Sequence, residues 1–408
     1  MGKLAVNGGV PVRSNPFPKW PIWDQGEIDA LTEVVKSGKW GSLHGNKVSE
    51  FEQKYAAMHN AKHGICINSG TLGLRIALMA AGIGGEKEEV IVPAYTFIAS
   101  ASAVIEANAV PVFVDIDSDT YNIDPDKVEK AITPRTKAIM PVHFGGRPAD
   151  MDRIMEIAKK HNLIVIEDAA QAWGSSWKGT GVGAIGDAGA FSFQSSKNIT
   201  SAEGGIILTN DDELAKFARA HSNCGRSADG QWYEHYYWGT NVRLTEFQGA
   251  VLLAQLARYP ELLKRRQKNA AYLNKHLKAI GGTEPLKDDT RITSNSVHIY
   301  IWRYKKEQFN NAPRTRFLEA LKAEIQQVSP GYSIPLYQQP VFKQKAFGPK
   351  GKKIDIAVDY SAYHLHECEK ACFEECVWFN QNMMLGTEKD MSDIVEALNK
   401  LKKHADEL

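Results

Sequence analysis

The sequence predicts an α/β fold: a large unit with a mostly parallel sheet between helices, then a smaller C-terminal α+β unit. Three observations lead there. From about residue 64 to 220, short apolar runs alternate with helix-length segments, the pattern of a sheet covered on both faces. A long helical stretch follows at about 245–280. After Gly281 and Gly282 the composition turns more polar, and a strand-like run precedes two helical patterns. The expected division is 1–260, the large unit with the N-terminal helices, and 261–408, a connector helix with the small unit.

Taken in order, the first element is an amphipathic helix. Asp24 and Glu27 form a capping box, Ile28, Leu31, Val34 and Val35 make an apolar stripe, and Gly38 ends it. The strand candidates are GICIN, EVIVPA, VPVFVDI, KAIMPV, LIVIEDAA, AGAFSF and GGIILTN, with helices such as ASASAVIEANA, DPDKVEKAI and ADMDRIMEIAKKHN between several of them. In the long stretch LTEFQGAVLLAQLARYPELLKRRQKNAAYLNKHLKAI, Pro260 is expected to break or kink the helix. SVHIYIWRY reads as a strand, RTRFLEALKAEIQ as a helix, and a last helix closes the chain at about 388–404.

Hydrophobic residues make up 43% and charged residues 24% of the 408, so a folded globular chain is expected. The net charge of +1 exerts no global pull on nucleic acid or anionic membrane. No helix-turn-helix pattern or basic tail suggests DNA contact. The N-terminus has no apolar core of a signal peptide, and no run of about 18 apolar residues predicts a membrane span. Five cysteines in so long a chain are no disulfide framework, and a cytoplasmic location is expected. The ending HADEL is close to a retention tetrapeptide and is read as a plain helix end.

In such sheets, ligands bind beyond the carboxyl ends of the strands. LIVIEDAAQ places Asp168 at such an end, with Gln171 close behind. A buried carboxylate there needs a cationic partner; the plainer alternative is an Asp that caps the next turn. In GICINSGTLGLRIAL, Ser69, Gly70 and Thr71 start a helix, where backbone N–H groups and hydroxyls suit a phosphate, though Ser and Thr also cap helices that bind nothing. AFSFQSSKNITSAEGG is more specific: Lys197 follows a core strand, and Ser192 adds a hydroxyl. A lysine amine can bond an aldehyde cofactor, a carboxylate can keep a pyridine nitrogen protonated, and an aromatic can cover the ring. VPAYTFIAS offers Phe97 and Tyr95 for the last role.

These residues resemble the DegT/StrS family of pyridoxal-phosphate-dependent sugar aminotransferases. The likeness runs over nearly the whole chain, through GKWGSLHGNKVSEFE, NSGT, VPAYTF, DTYNIDP, PVHFGGRPADMD, EDAAQAWG, FSFQSSKNITSAEGG, WGTNVRLTEFQGAVLLAQL and YSIPLYQQPVF. It implies the aspartate-aminotransferase fold (fold type I) and pyridoxal 5'-phosphate as cofactor. By the same resemblance Lys197 carries the cofactor and Asp168 meets the pyridine nitrogen. Gln171 lies near the phenolic oxygen and Phe97 stacks on the ring. Gly70, Thr71 and Ser192 form the phosphate pocket. Asn241 reaches the phosphate from the neighbouring subunit, which implies a homodimer with shared sites. A related group of dehydratases has histidine in place of the lysine; Lys197 therefore favours transamination. Arg147 stands where Gln is more usual, and Ala202 where Gly is. The implied reaction takes an amino group from glutamate or glutamine to a keto-sugar, often nucleotide-linked, or to a keto-cyclitol. FSFQSSK and CVWF also look like members that make aminocyclitols or 3-amino-5-hydroxybenzoate. The rival from another class is a non-catalytic regulator that binds the cofactor.

Three other features need a place. HLHECEKACFEEC has Cys368, Cys372 and Cys376 at helical spacing, with His364 and His366; closer Cys pairs mark zinc sites, so an inward-packed helix face and no metal are expected. KRRQK at 264–268 reads as a solvated face, or as a contact for a substrate pyrophosphate. QWYEHYYWGTN reads as interface, active-site loop or buried packing. Arg243 is one candidate cation for the donor carboxylate.

Overall fold

A computed structural model describes residues 3–408. Seven strands form the central sheet: β1 His63–Ile67, β2 Glu89–Pro93, β3 Val110–Val114, β4 Thr136–Ile139, β5 Ile164–Asp168, β6 Ala188–Ser192 and β7 Gly205–Thr209. Each coincides with one of the apolar runs. Their order is β1-β7-β6-β5-β4-β2-β3. β7 pairs antiparallel with both its neighbours, and the remaining pairs are parallel. β2, β3, β6 and β7 are buried along their whole length. That is why they read as continuous apolar runs rather than alternating ones.

The N-terminal helix Gln25–Ser37 has the expected Asp24–Glu27 capping box and a left-handed Gly38 after it. Its stripe behaves differently. Only Val34 is buried, while Ile28 and Val35 are exposed. An apolar stripe open to solvent in one chain is a surface for something else to cover.

Helix Glu246–Ile280 runs unbroken through Pro260, against expectation. A proline inside a helix forfeits one backbone hydrogen bond and costs about 3 kcal/mol. Packing outweighs this. Leu252 and Tyr259 lie in a core with Phe51, Trp173 and Phe193, and the Tyr259 hydroxyl donates to the Trp173 carbonyl at 2.6 Å. Leu273 and Leu277, farther along, lie in a second core. The helix thus joins the two cores.

That second core surrounds an antiparallel sheet of β8 Thr283–Pro285, β9 Ile299–Tyr304 and β10 Cys376–Asn380. Helices Arg314–Ile325 and Glu388–Lys403 supply Phe317, Leu321, Ile394 and Leu398 to it. Leu4 and Phe17 from the N-terminus pack there too, and Arg13 pairs with Asp390 and Asp393 at 2.5 and 3.1 Å.

The cysteine segment is not one helix. It runs as an α-helix over His366–Lys370, a π-helix over Ala371–Glu375, and then β10. Arg314 explains the change. Its Nη1 donates to the carbonyls of Ala371 and Cys376, and Nη2 to that of Cys372, so these carbonyls need no further helical turn. Cys368, Cys372 and Cys376 are all buried; His364 and His366 are exposed. Among the described residues, no helix is long and apolar enough to cross a membrane.

Candidate active site

The ends of β1, β2, β5 and β6 open on one cavity of about 410 Å³. After β1 the chain turns at Ser69 into helix Gly70–Ala80. Ser69 is its N-cap, with Oγ accepting from the Leu72 N–H at 3.3 Å. Ser69, Gly70 and Thr71 line the cavity with Ser192, which closes β6. A Cβ on Gly70 would stand 2.9 Å from Cβ of Ser192. The helix start therefore meets the Ser192 hydroxyl only because residue 70 has no side chain. Backbone N–H groups at a helix start with three hydroxyls around them form a cradle for a phosphate.

Asp168 ends β5 and is buried. Its Oδ2 accepts from the Ser100 hydroxyl at 2.7 Å and its Oδ1 from the Ala170 N–H at 3.1 Å. Burial raises its pKa, against the pull of Ser100, Ala170 and the Lys197 charge. Capping and a ligand role are thus compatible here.

Lys197 is half-buried as a whole residue, and its amine lies 5.8 Å from the ring centre of Trp173. Loss of solvent pushes that amine down to about 8, with Asp168 opposing. Both residues line the same cavity. A lysine poised near neutrality is a nucleophile and a proton carrier.

Gln171 lines the cavity as well, its Oε1 accepting from the Gly145 N–H at 2.7 Å. Phe97 is in the wall, yet 58% exposed. Tyr95 is not in the wall. It is buried, edge-on to Phe144 and Tyr332 at 5.1 and 5.5 Å.

Asn241 is not brought to this cavity. It is exposed and forms a strand bridge with Asn223. Arg243 donates to Asn223 Oδ1 at 2.8 Å and lines a separate cavity of about 360 Å³ with Arg219 and Arg226. The aromatic loop before Asn241 is open rather than packed: Trp232 is 78% and Trp238 88% exposed. The basic run 264–268 does not reach the cavity either, and it is not wholly solvated. Arg266 is fully buried, donating to Gln381 Oε1.

Ser100, Thr96, His298 and Tyr332 belong to the site as well, and the sequence reading assigned none of them a role. Ser100 lies in a helix of small residues. His298 and Tyr332 come from the C-terminal part of the chain, far in sequence from Lys197.

The profile of the DegT/DnrJ/EryC1/StrS aminotransferase family matches residues 21–366. The putative L-glutamine:3-amino-2,3-dideoxy-scyllo-inosose aminotransferase of Streptoalloteichus tenebrarius is 38% identical, over 100% of this chain and 99% of its own. The L-glutamine:2-deoxy-scyllo-inosose aminotransferase of the same organism is also 38% identical, over 99% of each chain. Among solved structures, 3-amino-5-hydroxybenzoic acid synthase superposes with a TM-score of 0.86 at 34% identity, covering 96% of this chain and 100% of that one.

Proposed function

The chain belongs to the DegT/DnrJ/EryC1/StrS aminotransferase family, and from that premise we propose that it moves an amino group from glutamine or glutamate to a keto-cyclitol, with pyridoxal 5'-phosphate as cofactor. The observation that carries this reading is the pairing of a near-neutral Lys197 and a buried Asp168 in one cavity with a phosphate cradle. The relatives' glutamine donor and inosose acceptors support the substrate classes. Arg266, within the basic run, is buried and does not line the cavity, so it is no contact for a substrate pyrophosphate there.

The residues present fit the cofactor. Lys197 would hold its aldehyde carbon, Asp168 its ring nitrogen, Gln171 its phenolic oxygen and Phe97 its ring face. Ser69, Gly70, Thr71 and Ser192 would hold its phosphate, completed by Asn241 of a second copy. When bound, the cofactor supplies a carbonyl that takes up the amino group and a ring that accepts electrons. Nζ of Lys197 would pass the proton from the donor's α-carbon to the cofactor's carbonyl carbon, and in the second stage from that carbon to the acceptor carbon. Asp168, buried itself, would keep a positive charge on the ring nitrogen favourable.

A homodimer is part of the proposal. Trp23, Trp40, Leu43 and Phe97 are more than half exposed in the single chain, as are Trp232 and Trp238, and large apolar side chains left open to solvent support this reading. A cytoplasmic location rests on the composition.

The test is a donor screen by absorbance, followed by inososes and nucleotide-linked keto-sugars with product mass. Bleaching by glutamine and amination of an inosose are expected. A yellow protein inert to every amino donor would instead support a cofactor-binding regulator. The match to 3-amino-5-hydroxybenzoic acid synthase favours one second reading, which formation of that acid would establish.

A further inference from the structure

His298 stands just before β9, buried, in the wall of the cavity that holds Lys197. Its Nδ1 lies 3.0 Å from Oδ1 of Asn198, the residue after Lys197. The orientation of that amide is decided by its other end. Nδ2 of Asn198 donates to the Ser296 carbonyl at 2.9 Å, and a carbonyl can only accept. Oδ1 must therefore face the imidazole, and Nδ1 of His298 must carry a proton.

Burial disfavours a second proton on the ring. Burial, then the charges of Lys197 and Arg266, keep its pKa well below the ordinary value. Among the described residues Arg266 has no carboxylate partner; it meets Gln381 and lies 5.4 Å from the Trp20 ring. In a neutral imidazole with Nδ1–H, Nε2 is a lone pair. Among the described residues nothing donates to Nε2, and His298 lines the cavity.

The backbone holds the ring in place. Val297 adopts φ 48, a region that β-branched residues rarely enter. Ser296 pins the turn, its N–H donating to Ser175 Oγ at 2.9 Å and its Oγ to the Gln171 carbonyl at 2.6 Å. The same turn thus fixes His298 and the loop that bears Gln171.

We propose that Nε2 of His298 accepts a hydrogen bond from a hydroxyl of the ring ketone that receives the amino group, and so selects polyhydroxylated acceptors. This rests on the acceptor class given under Proposed function. A site built to pair a substrate hydroxyl disfavours analogues without it, because the buried acceptor is then left unmet.

The holoenzyme is assayed with glutamine and 2-deoxy-scyllo-inosose as probes, the two stages measured separately. His298→Phe removes the acceptor and His298→Gln keeps one. The expected result is a rise of about tenfold in the ketone's KM for His298→Phe, equal to about 1.4 kcal/mol. The glutamine stage should fall by less, and His298→Gln should recover much of the loss. A measurement on the wild type needs no variant to fold. The imidazole 15N spectrum should show Nε2 unprotonated, shifting when the ketone is added to the aminated enzyme. An unchanged KM in His298→Phe, an equal loss in both stages, or a protonated Nε2 overturns the proposal while leaving the function intact. A wild-type enzyme that aminates no ring ketone overturns the function, and this proposal with it.

Discussion

Glu167 and Asp168 are chain neighbours at the end of β5, both buried, and their carboxyls shift in opposite directions. Burial raises each. In Glu167 it is outweighed by His143 Nε2 at 2.8 Å and by the N–H groups of Gly183, Ile185 and Gly186 at 2.7, 2.8 and 2.7 Å. Asp168 has one hydroxyl and one N–H, and its pKa stays raised. Successive strand residues face opposite sides of a sheet. One carboxyl locks the loop behind β5, and the other faces the cavity.

Glu167→Gln should destabilise the fold by about 2–4 kcal/mol, because one amide cannot satisfy the donors a carboxylate did. Urea titration measures this. The folded pKa of Glu167 lies below its ordinary 4.5, so its contribution is present above that value and fades as pH falls through the folded pKa. Stability of the variant should therefore depend less on pH in that acid range. Equal slopes would show that Glu167 is not held as an anion.

Lys197→Ala should abolish turnover and the visible absorbance that survives dialysis of the loaded protein. Dissociable cofactor with normal transamination would remove Lys197 from its assigned role.

The amine of Lys197 at about 8 predicts the pH dependence of cofactor capture by the cofactor-free chain. The rate should rise up to about pH 8 and then level off. Asp168→Asn removes the charge that opposes the shift, so the midpoint should move below 8. The folded pKa is below the ordinary 10.5. Between those values the unfolded chain binds the extra proton, and stability of the cofactor-free chain should climb with pH over that window. Stopped-flow absorbance and chemical denaturation read the two effects.

Gly70→Ala should weaken cofactor binding by tenfold or more while the fold survives. The new methyl would stand 2.9 Å from Ser192 Cβ and 3.2 Å from the Phe191 carbonyl oxygen, closing the cradle by overpacking. Equilibrium dialysis against pyridoxal phosphate would expose an error here by returning the wild-type affinity.

Asn241 is exposed and outside the cavity of its own chain, so a shared site can be tested by complementation. Lys197→Ala and Asn241→Ala homodimers should each be crippled. Unfolded together and refolded, they should recover about a quarter of wild-type activity, from hybrids with one intact site. No recovery would mean that Asn241 serves its own chain or none.

Much of this protein was legible in its sequence, for a definite reason. Strands buried on both faces are largely apolar, so the seven runs of the central sheet were visible. Polar residues at or just past the ends of such runs stand out, so Asp168, Ser192 and Lys197 were found once the runs were marked. Parallel topology then brings those ends together. Tertiary packing decided the rest. Pro260 remains inside a helix because two cores hold that helix on either side of it. Arg266, in a run that looks solvated, is buried where the fold folds over it. The cysteine segment leaves the helix because a distant guanidinium takes its carbonyls. His298 had no signal at all. Its role depends on Asn198 and on a proton whose position is set by hydrogen bonds across 100 residues of chain, and contacts at that separation leave no local pattern to read.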